Sequence, residues 1–167
     1  WFYNRKNVNE YLGFDDYYFL ENHYADLTGG ETAMDDVFLP ELYALLDENE
    51  GRDKPLFSFN VTYQKHGPYP TDRLKYDTEY VKKGVYSDES YYILNNYLGG
   101  VAQTAHELSA LAARLADDER PVILIFYGDH NPWLGDENSV YNELGVDFDL
   151  DTVDGFLNYY ATRYGIW

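Results

Sequence analysis

The chain has 167 residues, with 30 acidic and 12 basic side chains that give a formal net charge of −18 at pH 7. Such a charge repels phosphate backbones and anionic lipid headgroups, so we expect no nucleic-acid partner. Hydrophobic residues make up 45% and aromatic residues 19% of the sequence, which excludes a disordered chain. Because cysteine is absent, a disulfide scaffold, a thiolate zinc site and a cysteine nucleophile are also excluded from this chain.

The start of the sequence suggests that the chain is part of a longer protein. The chain begins at Trp1, and its one methionine is Met34. The sequence contains no run of about 18 apolar residues of the kind that spans a bilayer. We therefore expect a piece of a longer protein, in which any membrane segment lies outside this chain.

The first third of the chain contains two predicted helices. Residues Val8 to Leu12 form a short helix that Gly13 ends. A second helix begins at Asp35 or Asp36, where apolar residues start to recur at helical spacing. Pro40 then falls in the first turn of that helix, where a missing N–H group is tolerated.

The middle of the chain predicts a strand, a long loop and a long helix. Pro55 to Gln64 is rich in Phe, Val, Thr and Tyr, which favours a buried strand. Lys65 to Ser87 has no clean period, and a loop of that length in a compact domain is usually functional or mobile. A long amphipathic helix follows from about Glu89 to Asp117, weakened in its middle by Gly99 and Gly100.

The last third of the chain predicts two more strands. Val122 to Tyr127 is a continuous apolar run, which is typical of a strand covered on both faces, and Tyr160 to Trp167 is a further strand. This order predicts an α/β fold with a partly parallel sheet and flanking helices. Ligands bind such sheets at the carboxyl ends of the strands, which marks 64–67 and 128–130.

Asp129 and His130 are candidate metal ligands at one of these strand ends. A carboxylate beside an imidazole, preceded by Gly128, can turn both side chains toward one ion. Oxygen and nitrogen together suit Mn, Zn or Fe better than Ca. The alternative is that Asp129 caps the next turn while His130 is a solvated loop residue, and a two-residue match leaves that interpretation open.

His66 and Arg5 are candidate contacts for an anionic substrate. His66, beside Gly67 and Pro68 at the other strand end, can hydrogen-bond an anion or act as a general acid or base. Arg5 can bind phosphate or sulfate through two parallel hydrogen bonds. The alternative for His66 is a loop histidine bonded to a nearby carbonyl, and the alternative for Arg5 is a surface ion pair. Without further context, each of these alternatives is the favoured interpretation.

The other histidines and the late acidic stretch receive no site role. His23 lies in an acidic loop, and His106 lies on the polar side of the long helix. Acidic residues between 147 and 154 alternate with apolar ones but lack the glycine and terminal glutamate of an EF-hand loop. We expect them to form a solvated acidic edge.

Three blocks of the sequence resemble one known family, and they occur in that family's order. The blocks are FYNRKNVNEYLGFDDYYFLENHY (2–24), FNVTYQKHGPYP (59–70) and VILIFYGDHNPWLG (122–135). They are similar to the sulfatase domain of lipoteichoic acid synthases and related phosphoglycerol transferases, in the alkaline phosphatase/sulfatase superfamily. The ending YYATRYGIW also resembles the family's terminal strand, except that Arg163 stands where the family has proline.

The resemblance implies a fold, a domain and roles for five residues. Residues 1–167 would be the C-terminal portion of a single sulfatase-like domain. Asp129 and His130 match two metal ligands, with Mn²⁺ the usual ion and Mg²⁺, Ca²⁺ or Zn²⁺ as alternatives. His66 matches a histidine that contacts the substrate phosphate or leaving group, and Arg5 matches an arginine that binds phosphoglycerol. Tyr3 falls where the family has a tryptophan wall beside the substrate.

The resemblance also implies an activity and a location. The full-length protein would transfer phosphoglycerol from an anionic lipid at the extracytoplasmic face of a bacterial membrane, anchored by helices N-terminal to this chain. The family's threonine nucleophile and a glutamate ligand lie upstream of the first block and have no match here, so we expect this chain alone to be inactive. The alternatives are a hydrolase of sulfate or phosphate esters on the same fold, and a non-catalytic binding or assembly module.

Overall fold

The computed structural model describes residues 4–49, 51 and 53–167. In this part of the chain the helices are α1 (Arg5–Tyr11), α2 (Ala25–Thr28), α3 (Asp35–Glu48), α4 (Asp88–Ala116), α5 (Ser139–Glu143) and α6 (Val153–Tyr160). A π-helical turn (Leu20–Tyr24) precedes α2, and a 3₁₀ turn (Asp136–Asn138) precedes α5. The strands are β1 (Ile125–Tyr127) and β2 (Tyr164–Ile166).

The three helices predicted in the first two thirds of the chain are present. Helix α1 starts a few residues earlier than predicted, and Gly13 follows it with a φ of 83°, a value that favours glycine. Helix α3 begins at Asp35, as predicted. Pro40 lies in its second turn and not in its first, so the missing N–H removes one internal hydrogen bond from this helix.

Helix α4 is the longest element of the described chain and begins with a capped turn. The Ser87 hydroxyl accepts a hydrogen bond from the Ser90 N–H at 3.2 Å, and this satisfies one of the free donors at the helix start. Asp88 and Glu89 occupy the first turn and Arg114 the last, which complements the helix dipole. No helix among the described residues combines the length and the apolarity needed to cross a bilayer.

The sheet differs from the predicted one. Strands β1 and β2 pair antiparallel, with Ile125 opposite Ile166 and Tyr127 opposite Tyr164. The described residues contain no parallel pair, so the partly parallel sheet is not observed in this part of the chain. The predicted strand over 160–167 is shorter than expected because helix α6 continues to Tyr160.

Two further strand predictions fail on pairing or on burial. Residues 55–63 are exposed and belong to no strand of the described chain. Strand β1 is exposed along its length, with Ile125 at 56%, so the prediction of a strand covered on both faces is wrong here. The physical reason is that an apolar run becomes a covered strand only when other segments pair with it and pack on it. In the described residues β1 has only β2.

Among the residues that the structure describes, the core consists of two clusters, one toward each end of α4. Near the start of the helix, Ile93 and Leu94 pack against Leu134 and Val140. Near its end, the cluster of Leu39, Leu111 and Leu115 joins α4 to α3. Each such side chain contributes roughly 1.5–3 kcal/mol of burial free energy, so α4 is held to α3 at one end and to the segment around α5 at the other.

Two buried asparagines of α4 hold the long loop that the sequence predicts. Asn95 accepts hydrogen bonds from the backbone N–H groups of Tyr80 and Val81, at 2.6 and 2.9 Å, and donates to the Val81 carbonyl. Asn96 makes the equivalent bonds to the backbone of residues 70–75, at 2.7 to 3.2 Å. The side chains of these two asparagines therefore bind the backbone of the loop to α4.

Candidate functional site

A cavity of about 230 Å³ lies between two loops. The first loop begins with the turn at residues 64–65, and the second loop follows β1. The lining residues are Lys65, His66, Gly67, Pro68, His130, Pro132 and Trp133. The structure thus brings together His66 and His130, two of the residues that the sequence marks as candidates.

The two loops approach each other closely at Gly67. A side-chain carbon at this position would lie 3.2 Å from the Trp133 ring and 3.3 Å from the Trp133 carbonyl oxygen. A larger residue here would make a tight contact and would require Trp133 to move by a few tenths of an ångström. This contact explains how two segments that are distant in the sequence form one cavity.

The His66 ring is oriented by its neighbours. Its Nδ1 lies 2.6 Å from the Gly67 carbonyl oxygen, which can only accept, so Nδ1 carries the proton of the neutral ring. The ring stacks on Tyr63, with centroids 4.7 Å apart and an interplanar angle of 11°. Nε2 is then the nitrogen that can take up a proton and give it away.

Asp129 and His130 have the donor atoms of a partial metal site. His130 Nδ1 lies 2.7 Å from the Asn131 carbonyl oxygen and so carries the proton, which leaves a lone pair on Nε2. That Nε2 is 3.7 Å from Asp129 Oδ2, and both side chains are exposed. A ligating histidine in metalloproteins usually donates its other nitrogen in this way. The pair therefore fits two positions of a coordination shell.

The same geometry keeps the simpler interpretation open. Asp129 Oδ1 also accepts a hydrogen bond from the His130 N–H at 3.0 Å, as a carboxylate capping a turn would do. Across the described ranges, no group of three or more His, Cys, Asp or Glu side chains could hold a metal ion. Asp129 and His130 are thus at most part of a ligand set.

Hydrogen bonds from two neighbouring elements hold the second loop. The Asn131 side chain donates to the carbonyls of Asn158 and Tyr159 at the end of α6, at 2.7 and 2.8 Å. The Tyr141 hydroxyl donates to the Pro132 carbonyl at 2.8 Å. Burial raises the pKa of Tyr141 to about 12, so this phenol is a permanent donor at neutral pH.

A half-buried tyrosine holds the first loop. The Tyr69 hydroxyl donates to the Lys65 carbonyl, and its ring packs edge-on against Tyr97 with centroids 6.0 Å apart. Burial raises the pKa of Tyr69 as well. Sequence reasoning missed both tyrosines as supports, although Tyr69 lies within the HGPY run; Tyr141 carries no local signal.

The remaining candidates lie elsewhere or outside the described residues. Arg5 is the half-buried first residue of α1 and is not among the residues that line the cavity, so its role stays a prediction. Tyr3 lies outside the described residues. His23 bonds Glu41 at 2.9 Å, and His106 is exposed on α4. The acidic residues 147, 149, 151 and 154 are exposed, as expected of a solvated edge.

Comparison with known proteins places the chain in a family. The model of the Sulfatase family matches residues 1–152, a range that includes both cavity loops. A protein of Rhizobium meliloti (strain 1021), provisionally named a cyclic beta-1,2-glucan modification protein, is 34% identical over 145 residues. These residues are 87% of this chain but 22% of that relative, so the chain spans about a fifth of its length.

The family match adds a fold and a class of cofactor to what the structure describes. No solved structure gives a significant match. The family domain implies the alkaline phosphatase/sulfatase fold, and members of the family generally use a divalent metal ion. With a family model that covers residues 1–152 and both loops of the cavity, the chain belongs to the Sulfatase family.

Proposed function

We propose that the full-length protein is a metal-dependent phosphoglycerol transferase of the lipoteichoic acid synthase type. The observation that supports this proposal most directly is the cavity that His66 and His130 line together, with Asp129 beside His130. In the reaction, the bond from phosphorus to the lipid oxygen breaks and a bond from phosphorus to an attacking hydroxyl forms, while the proton that the hydroxyl loses balances the one that the leaving lipid oxygen gains. Diacylglycerol leaves, and the phosphoglycerol group ends on the acceptor.

In this proposal the five candidate residues divide the work. Asp129 and His130 would hold the divalent ion, with Mn²⁺ expected and Mg²⁺, Ca²⁺ or Zn²⁺ as alternatives. When bound, the ion would supply positive charge that neutralises a phosphoryl oxygen. Protonated His66 would donate from Nε2 to the leaving lipid oxygen. Arg5 would bind phosphate oxygens through its guanidinium, and Tyr3 would form a wall beside the glycerol.

The charge of the chain makes such a site necessary for an anionic substrate. The formal charge of −18 repels a phosphate ester from most of the surface. A divalent ion, an arginine and a protonated histidine would reverse the sign of the field locally. An anionic phosphoglycerol lipid would thus be attracted to the site and repelled from most of the surface.

The acceptor and the location follow from the same proposal. The name of the Rhizobium meliloti relative refers to the modification of a glucan, and a sugar hydroxyl is a chemically suitable acceptor for phosphoglycerol. A lipid donor requires a membrane, so the protein would work at the extracytoplasmic face, anchored by helices N-terminal to this chain.

The family match favours a second candidate, the hydrolysis of sulfate or phosphate esters. The same residues could serve both reactions, because sulfate and phosphate esters share their charge and tetrahedral shape. The difference is the acceptor, which is water in hydrolysis and a hydroxyl in transfer.

A substrate comparison with the full-length protein and Mn²⁺ tests the proposal. One arm supplies vesicles that contain fluorescent phosphatidylglycerol, together with a glucan acceptor, and measures diacylglycerol and free glycerol phosphate. The other arm supplies an aryl sulfate and measures the free phenol. We expect diacylglycerol without a matching amount of free glycerol phosphate in the first arm, and little phenol in the second. Phenol release alone would establish the sulfatase, and inactivity in both arms would favour a binding or assembly module.

A further inference from the structure

The two residues before His66 are held by hydrogen bonds to the backbone of α3 and to side chains of α4. Lys65 Nζ donates to Thr104 Oγ1 at 3.1 Å. The Gln64 side chain accepts from the Asp35 N–H at 3.1 Å and donates to Gln103 Oε1 at 2.7 Å. We call this set of five residues the anchor. It connects the first loop of the cavity to both helices of the second core cluster.

Thr104 gives the anchor a defined direction. Its hydroxyl has one hydrogen, which it donates to Asp35 Oδ2, so it can only accept from the Lys65 ammonium. The chain of bonds therefore runs from Lys65 through Thr104 to Asp35. Removing the hydroxyl would separate the ammonium from the carboxylate at both steps.

The anchor contains one buried charge, on Asp35, and one half-buried charge, on Lys65. Asp35 has no exposed surface, and its Oδ1 has no hydrogen-bond partner among the described residues. Burial lowers the pKa of Lys65, and the Asp35 carboxylate opposes that shift. A buried pair of opposite charges adds little net stability, because desolvation offsets the attraction. Its better supported use is to fix one arrangement of the chain.

Lys65 is fixed at both ends. Its side chain lies against α4, while its carbonyl accepts the hydrogen bond from Tyr69. His66 is the next residue, and its own N–H donates to the Tyr63 carbonyl at 2.9 Å. Although Lys65 lines the cavity, its ammonium donates to Thr104, which favours a structural role in the loop over direct substrate binding.

We propose that Asp35 and Thr104 are positioning residues that act through Lys65 to place the His66 ring for proton transfer. This inference rests on the proposed function, since it requires that His66 touch the substrate. A displacement of about 1 Å at a reacting group can cost on the order of 100-fold in rate. The anchor would therefore control kcat more than KM.

The test uses the full-length protein, Mn²⁺ and the phosphatidylglycerol assay. Thr104→Val keeps the shape of the side chain but removes the hydroxyl, and Thr104→Ser keeps the hydroxyl. We expect Thr104→Val to lower kcat by about 10- to 100-fold with little change in KM, and Thr104→Ser to restore most of it. Equal kcat values for the two variants would overturn the inference.

A double-mutant cycle separates positioning from general destabilisation. If Thr104 acts through His66, Thr104→Val has no further effect on kcat in a His66→Ala background. Independent, multiplying losses would contradict the inference. Glu143→Gln is the control, because Glu143 contacts the start of α4, away from Thr104. This variant leaves kcat unchanged below its unfolding temperature.

An NMR readout distinguishes failure of the anchor from failure of the proposed function. With ¹³C-labelled histidine, the His66 ring signal shifts in Thr104→Val but not in Thr104→Ser or Glu143→Gln. An unshifted signal in Thr104→Val overturns the anchor whatever the activity. A normal kcat in His66→Ala instead removes His66 from the proposed reaction, and with it the catalytic meaning of the anchor.

Discussion

Gly99 and Gly100 are neighbours in α4, yet their surroundings differ. A side-chain carbon at residue 99 would lie 2.2 Å from the ring of Tyr76, whereas one at residue 100 would have its nearest neighbour, the Tyr76 hydroxyl, at 3.4 Å. Tyr76 also accepts a hydrogen bond from Gln64 at 3.1 Å, which connects this packing to the anchor. Gly99 is therefore required by packing, while Gly100 is only tolerated.

Alanine substitutions at these two positions should have opposite effects on stability. Gly99→Ala should destabilise by about 1–3 kcal/mol, because the Tyr76 ring must move. Gly100→Ala should stabilise by up to about 1 kcal/mol, because alanine favours the helix. Thermal unfolding of the full-length protein measures both changes. Shifts of the same sign and size in the two variants would contradict this packing.

Asp129 and His130 are the residues on which metal binding should depend. We expect Asp129→Ala and His130→Ala each to weaken Mn²⁺ binding roughly tenfold or more, since each would remove a proposed ligand. Even the loss of a group that only hydrogen-bonds a metal ligand costs about 10- to 100-fold in affinity. His66→Ala should retain the affinity. Calorimetric titration of the full-length protein measures this, with His106→Ala as a matched histidine control. Unchanged affinity in both ligand variants would assign the pair to turn capping.

At the scale of elements, Glu143 joins α5 to the start of α4. Its carboxylate accepts from the Ser87 N–H at 2.6 Å, from the Ser87 hydroxyl at 2.8 Å and from the Ser90 hydroxyl. The hydrogen bond from the Ser90 side chain is the main cause that lowers the pKa of Glu143, followed by those from Ser87. The bonded form is the ionised one, so this contact depends on pH.

The direction of that dependence can be tested with Glu143→Gln. A carboxyl group whose pKa is lower in the folded state stabilises the fold above its unfolded pKa of about 4.3. That contribution is lost as the pH falls through the lower, folded value. The difference in unfolding temperature between wild type and Glu143→Gln should therefore be constant near pH 7 and shrink below about pH 4. A difference independent of pH would exclude an ionic contribution from Glu143.

Helices were more predictable than the sheet because their signals are local. The apolar spacing of α3 and α4 indicates each helix without reference to any other segment. The apolar runs at 55–64 and 122–127 indicate extended backbone but not the segments that pair with them. The antiparallel pairing and the exposure of β1 therefore could not be derived from composition.

The candidate site, like the fold, was predictable only in part. His66, Asp129 and His130 lie in short motifs, and the rule for strand ends marks both of their loops. The close approach at Gly67 and the support from Tyr141 depend on packing between distant segments. Thr104 and Asp35 appear in the sequence as an ordinary helix residue and a helix start, so the anchor is visible only in three dimensions.

At the scale of the whole molecule, the central claim is that the full-length protein moves phosphoglycerol from a lipid to a carbohydrate. The chain spans about a fifth of its Rhizobium meliloti relative, so the claim concerns a larger protein than the described residues. It requires that the cavity of His66 and His130 act on a phosphate ester and that the acceptor be a hydroxyl and not water.

One measurement tests this most directly, namely the fate of a radioactive label in the glycerol headgroup of phosphatidylglycerol. The full-length protein is incubated with Mn²⁺, labelled vesicles and a glucan acceptor. The account predicts label in the carbohydrate product, and none when His66→Ala or His130→Ala replaces the wild type. Label found only as free glycerol phosphate or as unreacted lipid would contradict it.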